Sequence, residues 1–293
     1  MKEVDISIVI VNWKVRPLLE KCLQAVLTDI EGLSAEIFVV DNDSRDGTPE
    51  MIMAEYPQVT MIALAHNRGF AQANNLALRE ATGKYIFLLN PDTEVQGGFF
   101  KTIINYFVSH PQIGMIGPRV LNSDFSLQPS VRRFPDLFSQ IVVLLKLRSF
   151  KFGKKLLAKH LALDFDYNRE QDAQQIMGAA IAMTKDAFEK IGYFDERFYI
   201  WFEEVDYCQR AQKQGIIIRY LPTASILHHS GASFKKQKIF KKQLIFNWSL
   251  LYYFLKHKPI WQTLLIVIIL PINLFLTALY AWWSSSKDDD QNG

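Results

Sequence analysis

Residues 85–95 read YIFLLNPDTEV: five apolar or aromatic side chains, then asparagine, proline and two acids. Apolar groups at successive positions from Tyr85 to Leu89 would face both sides of a sheet, the pattern of a strand covered on both faces between helices. Pro91 has no N–H to give to a central ladder, so the strand is expected to end just before it. In open α/β sheets the crevice beyond the carboxyl ends of the strands is where ligands sit, which directs Asp92 and Glu94 into a site rather than into bulk solvent. A polar strand-to-helix turn has the same local signature, and the neighbouring segments decide between the two.

Moving outward, residues 6–118 alternate apolar runs with amphipathic ones. ISIVIVN is followed by PLLEKCLQAVL, EIFVV by TPEMIMAEY, and VTMIAL by GFAQANNLALREA; YIFLLN is followed by a helical stretch from about Gly98 to Ser109 and then IGMIGP. This alternation predicts an α/β fold, a doubly wound and mostly parallel sheet flanked by helices, with right-handed crossovers. The second half adds a predicted strand at IMGAAIAMT, a helix at KDAFEKI, a loop FDERFYIW, a helix EEVDYCQRAQKQ stopped by Gly215, and a strand IIIRYL.

The 293 residues, 49% of them hydrophobic, allow one large domain or two small ones. Cys22 and Cys208 are far apart and belong to no Cys/His cluster, which excludes a disulfide framework or structural zinc and fits a reducing compartment. At the N-terminus, Glu3 and Asp5 precede a short apolar run without a cleavage-like site, the pattern of a first strand and not of a signal peptide.

The net charge of +3 conceals an asymmetry, since no acid occurs between Asp206 and Asp288, a stretch holding eleven Lys or Arg. Within it, Leu264 to Ala281 is almost wholly apolar and is flanked by Trp261, Trp282 and Trp283. As a helix, Ile260 to Trp283 is roughly 36 Å long at ~1.5 Å per residue, enough for a ~30 Å hydrocarbon core, with a kink expected at Pro271. A buried core helix is the alternative; uncharged length and aromatic belts favour a transmembrane helix. Lys235, Lys236, Lys238, Lys241, Lys242, Lys256 and Lys258 precede it, whereas Lys287 is followed by three aspartates. The positive-inside rule then predicts a single-pass protein of the inner (cytoplasmic) membrane with residues 1–258 in the cytoplasm. A second acid-free piece, between Asp136 and Asp164, carries Lys146, Arg148, Lys151, Lys154, Lys155 and Lys159. It reads either as a solvated basic helix or as an amphipathic segment lying in the plane of lipid headgroups.

Five motifs carry candidate chemistry. In DNDSRDGT (41–48), Asp41 stands at the carboxyl end of the second strand, where a carboxylate can accept from a nucleobase or ribose; Asp43, Ser44 and Asp46 read as turn and helix-cap residues. In HNRGFAQANN (66–75), Gly69 lies at a strand-to-helix turn where backbone N–H groups can approach an anion, with Arg68 adding charge. Asp92 suits a hard cation that takes one or two protein carboxylates and leaves its other positions to water and phosphates. In FDERFYIWFEEVDYC (194–208), Glu203, Glu204 and Asp206 fall in the first turn of a helix, which the macrodipole favours. The lead-in of Phe198, Tyr199, Trp201 and Phe202 puts those acids beside apolar rings, which raises a carboxyl pKa and suits a base. In ILHHSGAS, His228 and His229 read either as buried or capping residues or as metal ligands.

Taken in order, DNDSRDGT, NRGFAQANN, LLNPDTE, FEEVDYC and HHSGAS resemble the inverting family 2 glycosyltransferases of GT-A fold, over about residues 4–234, and most closely their rhamnosyltransferase-like branch. Members of that branch use nucleotide-activated deoxysugars to build lipid-linked glycans or cell-wall linkers. The resemblance implies that Asp41 contacts the donor nucleobase and that Asn12, Asn67, Arg68, Gly69 and Asn74 line the nucleotide pocket. It makes Asp92 the last acid of a D-x-D metal motif, whose first acid is Asn90 here, and puts Glu204 at the catalytic base, where the family more often has Asp. Glu203 and Asp206 become neighbours that fix the base or bind acceptor hydroxyls, with Glu203 a competing base. His228 matches a metal-ligand position found in some members, with His229 as the fallback.

The implied cofactor is a divalent cation, Mg2+ or Mn2+, and the implied partners are a nucleotide-diphosphate sugar donor, a lipid-linked glycan acceptor and the membrane, with no nucleic acid. On this reading residues 1–234 are the catalytic domain, 235–259 a basic amphipathic membrane-proximal region, 260–283 the transmembrane helix and 284–293 a polar tail. A polyprenyl-phosphate glycosyl synthase and a non-catalytic membrane scaffold are the competing readings. A dinucleotide-dependent dehydrogenase would need G-x-G-x-x-G after the first strand, and VNWKVRP has none.

Overall fold

The computed structural model describes residues 4–229 and 239–290, with side chains as far as Trp282. Lys235, Lys236 and Lys238, and the side chains of Trp283, Lys287 and Asp288 to Asp290, lie outside the described residues. In chain order the elements are β1 (Ile6–Asn12), α1 (Arg16–Asp29), β2 (Ala35–Asp41), α2 (Thr48–Glu55), β3 (Val59–Ala63), α3 (Phe70–Leu78), β4 (Tyr85–Leu89), β5 (Thr93–Val95) and α4 (Phe99–Ser109). They continue with β6 (Ile113–Leu121), β7 (Val131–Arg132), α5 (Leu137–Leu144), α6 (Lys151–His160), β8 (Gln171–Asp172), β9 (Gln175–Ile176), β10 (Ala180–Thr184), α7 (Lys185–Ile191), α8 (Glu203–Lys213), β11 (Ile217–His228), α9 (Ile239–His257) and α10 (Ile260–Asp290).

The main sheet runs β3-β2-β1-β4-β10-β6-β11-β5, with β8 also paired to β11. β3, β2, β1 and β4 are parallel, as are β6 and β11. β10 is inserted antiparallel between β4 and β6, and β5 lies antiparallel on β11. The sheet is therefore mixed and mostly parallel. Strand direction is absent from the residue pattern, because a strand buried on both faces has the same composition whichever way it runs.

Every residue of β1 is buried, and Ile6, Ile8 and Ile10 share one apolar cluster with Leu19, Leu23 and Val26 of α1. Phe87 of β4 packs edge-on against Phe100 of α4, with centroids 4.9 Å apart. Buried rings of this kind supply about 1.5–3 kcal/mol each by removal from water, and they fasten the middle of β4 to α4. β4 stops at Leu89, as Pro91 requires, and the chain turns back at once into three-residue β5. The sequence reading had only a turn here, because three residues are too few for a periodic signal. Both cysteines are free and buried; burial pushes each thiol up to about 12, which makes them inert core residues.

The chain divides into two units. The first comprises Met1–Arg132, Phe165–Tyr199 and Glu203–Lys235 and contains the main sheet; the second comprises Arg133–Asp164, Ile200–Phe202 and Lys236–Gly293. In the second, Asp136 caps α5, accepting from the Ser139 N–H at 3.0 Å in a capping box. α9 packs on α10, and α10 also packs on α5. Asn273, in the middle of the apolar stretch, is buried there: its Nδ2 donates to the Leu144 carbonyl at 2.7 Å, and its Oδ1 accepts from Asn247 Nδ2 at 2.9 Å. The helix runs continuously through Pro271. Among the described residues, Ile260–Trp282 is the helix long and apolar enough to cross a membrane, with mean hydropathy 2.5. On and just before α6, Phe150, Phe152 and Leu156 are exposed among lysines.

Candidate active site

The first part of the site lies at the carboxyl ends of β1 and β2. Asn12 closes β1, and strand register places it beside Asp41. Its Nδ2 donates to Asp41 Oδ1 at 2.9 Å, to Ser44 Oγ at 3.0 Å and to Thr48 Oγ1 at 3.2 Å. Asp41 Oδ2 accepts from the Ser44 N–H at 3.0 Å, so this carboxylate also anchors the turn. The turn and helix-cap expectation holds for Asp46 and is corrected for the other two. The N-cap position of α2 is Gly47 in the left-handed region, and Asp46 Oδ1 accepts from the Thr48 N–H at 3.2 Å and from Thr48 Oγ1 at 2.6 Å in an Asx turn; Asp43 pairs with Arg45, and Ser44 Oγ accepts from the Lys14 N–H at 2.9 Å. Asp41, Asp43, Arg45, Gly47 and Ala63 are among the residues lining a cleft of about 430 Å³.

Sequence reasoning missed Asn42. Its Oδ1 accepts from the Arg68 N–H at 2.8 Å and its Nδ2 donates to the Gly69 carbonyl at 3.1 Å, which ties the end of β2 to the β3–α3 turn. An asparagine directly after a strand end was its only sequence signal. Asn67 Oδ1 accepts from the Gly69 N–H and from the Tyr199 hydroxyl, both at 2.9 Å, and the Phe70 N–H donates to the Tyr199 carbonyl. The amides of this turn are thus satisfied internally, which corrects the expectation that Gly69 lets them approach an anion. Gly69 has φ +82°, and a Cβ there would lie 2.3 Å from the Tyr199 carbonyl oxygen. Glycine is required for backbone shape and for the close approach of Tyr199. Arg68 keeps Nε without a partner among the described residues. Asn74 is buried within α3, its Nδ2 donating to the Phe70 carbonyl at 2.9 Å.

The second part lies beyond β4. The Asn90 N–H donates to the Ala179 carbonyl, and the Asn90 carbonyl accepts from Thr93 Oγ1 at 2.7 Å, fixing the reversal that presents Asp92. Because β5 pairs with β11 in the register Thr93 to His228, Asp92 meets His228: Oδ1 and Nε2 are 3.4 Å apart and both side chains are about nine-tenths buried. His228 Nδ1 is hydrogen-bonded to Gln128 Oε1 at 2.7 Å. His229 has both ring nitrogens engaged, Nε2 with Glu94 Oε1 at 2.6 Å and Nδ1 with Ser123 Oγ at 2.7 Å, which leaves it no lone pair for a metal. Among the described residues no cluster of three or more His, Cys, Asp or Glu is present. The pair Asp92 and His228, one hard oxygen and one imidazole nitrogen, fits a divalent ion that leaves its remaining positions to diphosphate oxygens and water.

The third part is the start of α8. Trp201 and Phe202 have φ of 64° and 69°, a left-handed pair that turns the chain sharply into Glu203. Glu203 is buried, and its Oε2 has no partner among the described residues. Burial, and then the neighbouring Glu204 charge, pushes its carboxyl well above the usual glutamate range. Burial also raises Glu204, while its own N–H and that of Val205 pull the other way. Glu204 lies against Gly178, where a Cβ would be 3.6 Å from the Glu204 Cβ; one residue on, Ala179 binds Asn90. Glu204 thus lies beside the chain segment whose next residue binds the Asp92 turn.

Asp206 belongs elsewhere. It is fully buried and its Oδ2 accepts from Arg210 Nε at 2.8 Å, while Arg210 donates to the Ile191 and Tyr193 carbonyls. It locks α8 in place and does not reach acceptor hydroxyls, contrary to one of the two expectations for it.

A mixed sheet of this order, with acids and histidines gathered at the rim of its strands, is the GT-A-type nucleotide-sugar architecture. Residues 7–190 match the sequence profile of Glycosyl transferase family 2, and the chain belongs to that family. It is 26% identical over 245 residues to the N-acetylglucosaminyl-diphospho-decaprenol L-rhamnosyltransferase of Mycobacterium tuberculosis, covering 78% of this chain and 77% of that one. It is 22% identical over 214 residues to the dTDP-rhamnosyl transferase RfbF of Shigella flexneri, covering 72% and 65%. Among solved structures it resembles GalNAc-T7 crystallised with UDP, GalNAc and Mn2+, with a TM-score of 0.59, 17% identity and coverage of 78% of this chain and 44% of that one. The chain is a glycosyltransferase whose relatives include rhamnosyltransferases acting on lipid-linked sugars.

Proposed function

We propose that the protein is a membrane-anchored, inverting, cation-dependent glycosyltransferase that moves a deoxysugar, rhamnose in the first instance, from a nucleoside diphosphate to a hydroxyl of a polyprenyl-diphosphate-linked glycan. The observation that carries this reading is the meeting of Asp92 and His228 across the β5–β11 ladder; the two carboxyls at the start of α8, held above their ordinary pKa, supply the base. Asp41 accepts from a nucleobase N–H, and Asn12 holds it in place. Arg68, with an uncompensated guanidinium nitrogen, faces the donor's anionic part together with the Asn67 side of its turn. Asp92 and His228 would hold an Mg2+ or Mn2+ ion, which would supply charge stabilisation for a departing diphosphate.

Glu204 takes the proton of the acceptor hydroxyl. The acceptor oxygen forms its bond to the anomeric carbon from the face opposite the diphosphate, the old carbon–oxygen bond breaks, and its electron pair leaves with the diphosphate. One displacement inverts the anomeric configuration. Glu203, deeper and without a hydrogen-bond partner for one oxygen, stays protonated beside Glu204, so a single negative charge is present at the pair. Support for a membrane location comes from the apolar α10, with α6 a candidate for the headgroup plane and residues 1–258 on the cytoplasmic side of the inner membrane.

Membranes containing the full chain, supplied with a panel of nucleotide sugars including dTDP-rhamnose, an N-acetylglucosaminyl-diphosphate polyprenol, and Mg2+ or Mn2+, test the proposal. Transfer of one sugar with inverted anomeric configuration by NMR is expected. Transfer to polyprenyl phosphate itself would instead identify a polyprenyl-phosphate synthase, and neither transfer nor donor hydrolysis with any donor would identify a scaffold.

A further inference from the structure

The loop between β6 and β7 contains a chain of side-chain hydrogen bonds in which every donor and acceptor is dictated. It begins at Asp124, whose carboxylate is held below its usual pKa by the Ser126 hydroxyl and N–H. A carboxylate only accepts, so the single hydroxyl proton of Ser126 goes to Asp124 Oδ1, at 2.5 Å. Ser126 Oγ is then left to accept, and it does so from Asn122 Nδ2 at 2.9 Å. That orients the Asn122 amide so that its Oδ1 accepts from Gln128 Nε2 at 2.8 Å. The Gln128 amide is oriented in turn, and its Oε1 faces His228 Nδ1 at 2.7 Å. An amide oxygen has no proton to give, so Nδ1 carries the hydrogen.

We propose that Asp124, Ser126, Asn122 and Gln128 form a positioning relay that fixes His228 as its Nδ1–H tautomer and so keeps the Nε2 lone pair facing Asp92. The inference rests on the cation-site reading above. The distances agree with it. Charge-assisted N–H···O bonds to carboxylates close to about 2.7–2.9 Å, yet His228 Nε2 stays 3.4 Å from Asp92 Oδ1, the separation of two acceptors with no proton between them. The adjacent histidine shows the opposite case. Ser123 can donate to His229 Nδ1, and His229 Nε2 closes on Glu94 at 2.6 Å. One histidine of the pair is sealed by a proton and its neighbour is left open, and the same short loop, through Ser123 and Gln128, contacts both. Backbone pairing of Asn122 with Ser126 and of Gln128 with Val120 holds that loop to the end of β6.

Selective ¹⁵N-histidine labelling of the detergent-solubilised full chain tests the relay, with His228 assigned by difference from His228→Ala. Long-range ¹H–¹⁵N correlation is expected to show His228 protonated at Nδ1 in the wild type and in Gln128→Glu, which keeps an acceptor there. Gln128→Leu should show a tautomer mixture. Mn2+ uptake in the presence of dTDP, and separately of UDP, read from the EPR signal of free Mn2+, should weaken about 10- to 100-fold in Gln128→Leu, the usual effect of losing a partner that orients a metal ligand. Gln128→Glu should restore it, which a disrupted loop would not do. Nε2–H in the wild type, or Gln128→Leu with unchanged tautomer and Mn2+ uptake, would overturn the relay. A wild type that shows Nδ1–H but takes up no Mn2+ would keep the relay and remove the cation reading alone.

Discussion

The two halves of the sheet rim differ in which of their groups are left without a partner. At the ends of β1 and β2, the described contacts of Asp41, Asn42 and Asn67 form a network in which a buried carboxylate is surrounded by donors. Beyond β4 and at the start of α8, carboxylates are buried and short of partners: Glu203 Oε2 has none among the described residues, and Asp92 Oδ1 lies 3.4 Å from His228 Nε2. At the β1–β2 end the atoms left without a partner among the described residues are Asn12 Oδ1 and Arg68 Nε, while the Asp41 carboxylate is paired at both oxygens; a paired carboxylate is rigid and suits the recognition of an invariant part of a donor. An unsatisfied one stores free energy that a ligand or a proton can release, which is what a reacting centre needs.

The contrast predicts that substitutions at the α8 end remove chemistry and leave the fold, while those at the β1–β2 end weaken the fold itself. Glu204→Gln should have the largest effect, lowering transfer by on the order of 10²-fold or more with nucleotide affinity unchanged; ordinary turnover in this variant would remove the base assignment. Its raised carboxyl sets the pH dependence as well. A base must be ionised, so activity should fall on acidification at a pH above the ordinary glutamate value of about 4.3, and a pH–rate profile flat down to that value would contradict this.

Asp92→Ala should come next, with transfer reduced by more than the ~10- to 100-fold that losing a partner of a metal ligand costs and with little change in melting temperature. Chelation should abolish wild-type transfer and added Mn2+ should restore it; full activity in EDTA would exclude Asp92 as a ligand. At the other end, Asn12→Ala deprives the buried Asp41 of a hydrogen bond to a charged group, worth about 1.5–3 kcal/mol. A lower melting temperature is expected together with weaker nucleotide binding, and an unchanged melting temperature would break the comparison.

The smallest effect, of opposite sign, is expected at Glu203. Its pKa is higher folded than unfolded, so the folded state binds the extra proton, and stability is lost as pH rises from the unfolded value through the folded one. Glu203→Gln should therefore raise the melting temperature at neutral pH and above, with the gain vanishing near pH 4. A destabilised variant at pH 8 would show that Glu203 is ionised and paired.

Much of this was legible in the chain. The apolar runs, their length and their punctuation by Asn12, Asp41 and Pro91 identified the strands and their ends, because burial on a sheet and the missing proline N–H are local properties. The positions of Glu203 and Glu204 in a first helical turn behind aromatic residues were equally readable. Asn42 was not, since a bracing asparagine and an exposed one look alike until both ends of its bonds are in place, and of the three turn residues only Asp46 reaches the first N–H of α2.

The sequence by itself determined which segments become strands and helices, where the chemistry-bearing residues sit on them, and that one C-terminal stretch is apolar enough for a bilayer. Only the tertiary structure decided the antiparallel insertion of β10, the pairing of β5 with β11 that brings His228 to Asp92, the sealing of Asp206 by Arg210, and the crowding of Gly69 by Tyr199. The physical reason is range. Burial pattern and backbone propensity act within a few residues, whereas ladder register and hydrogen-bond polarity are set between residues that meet only once the sheet has closed.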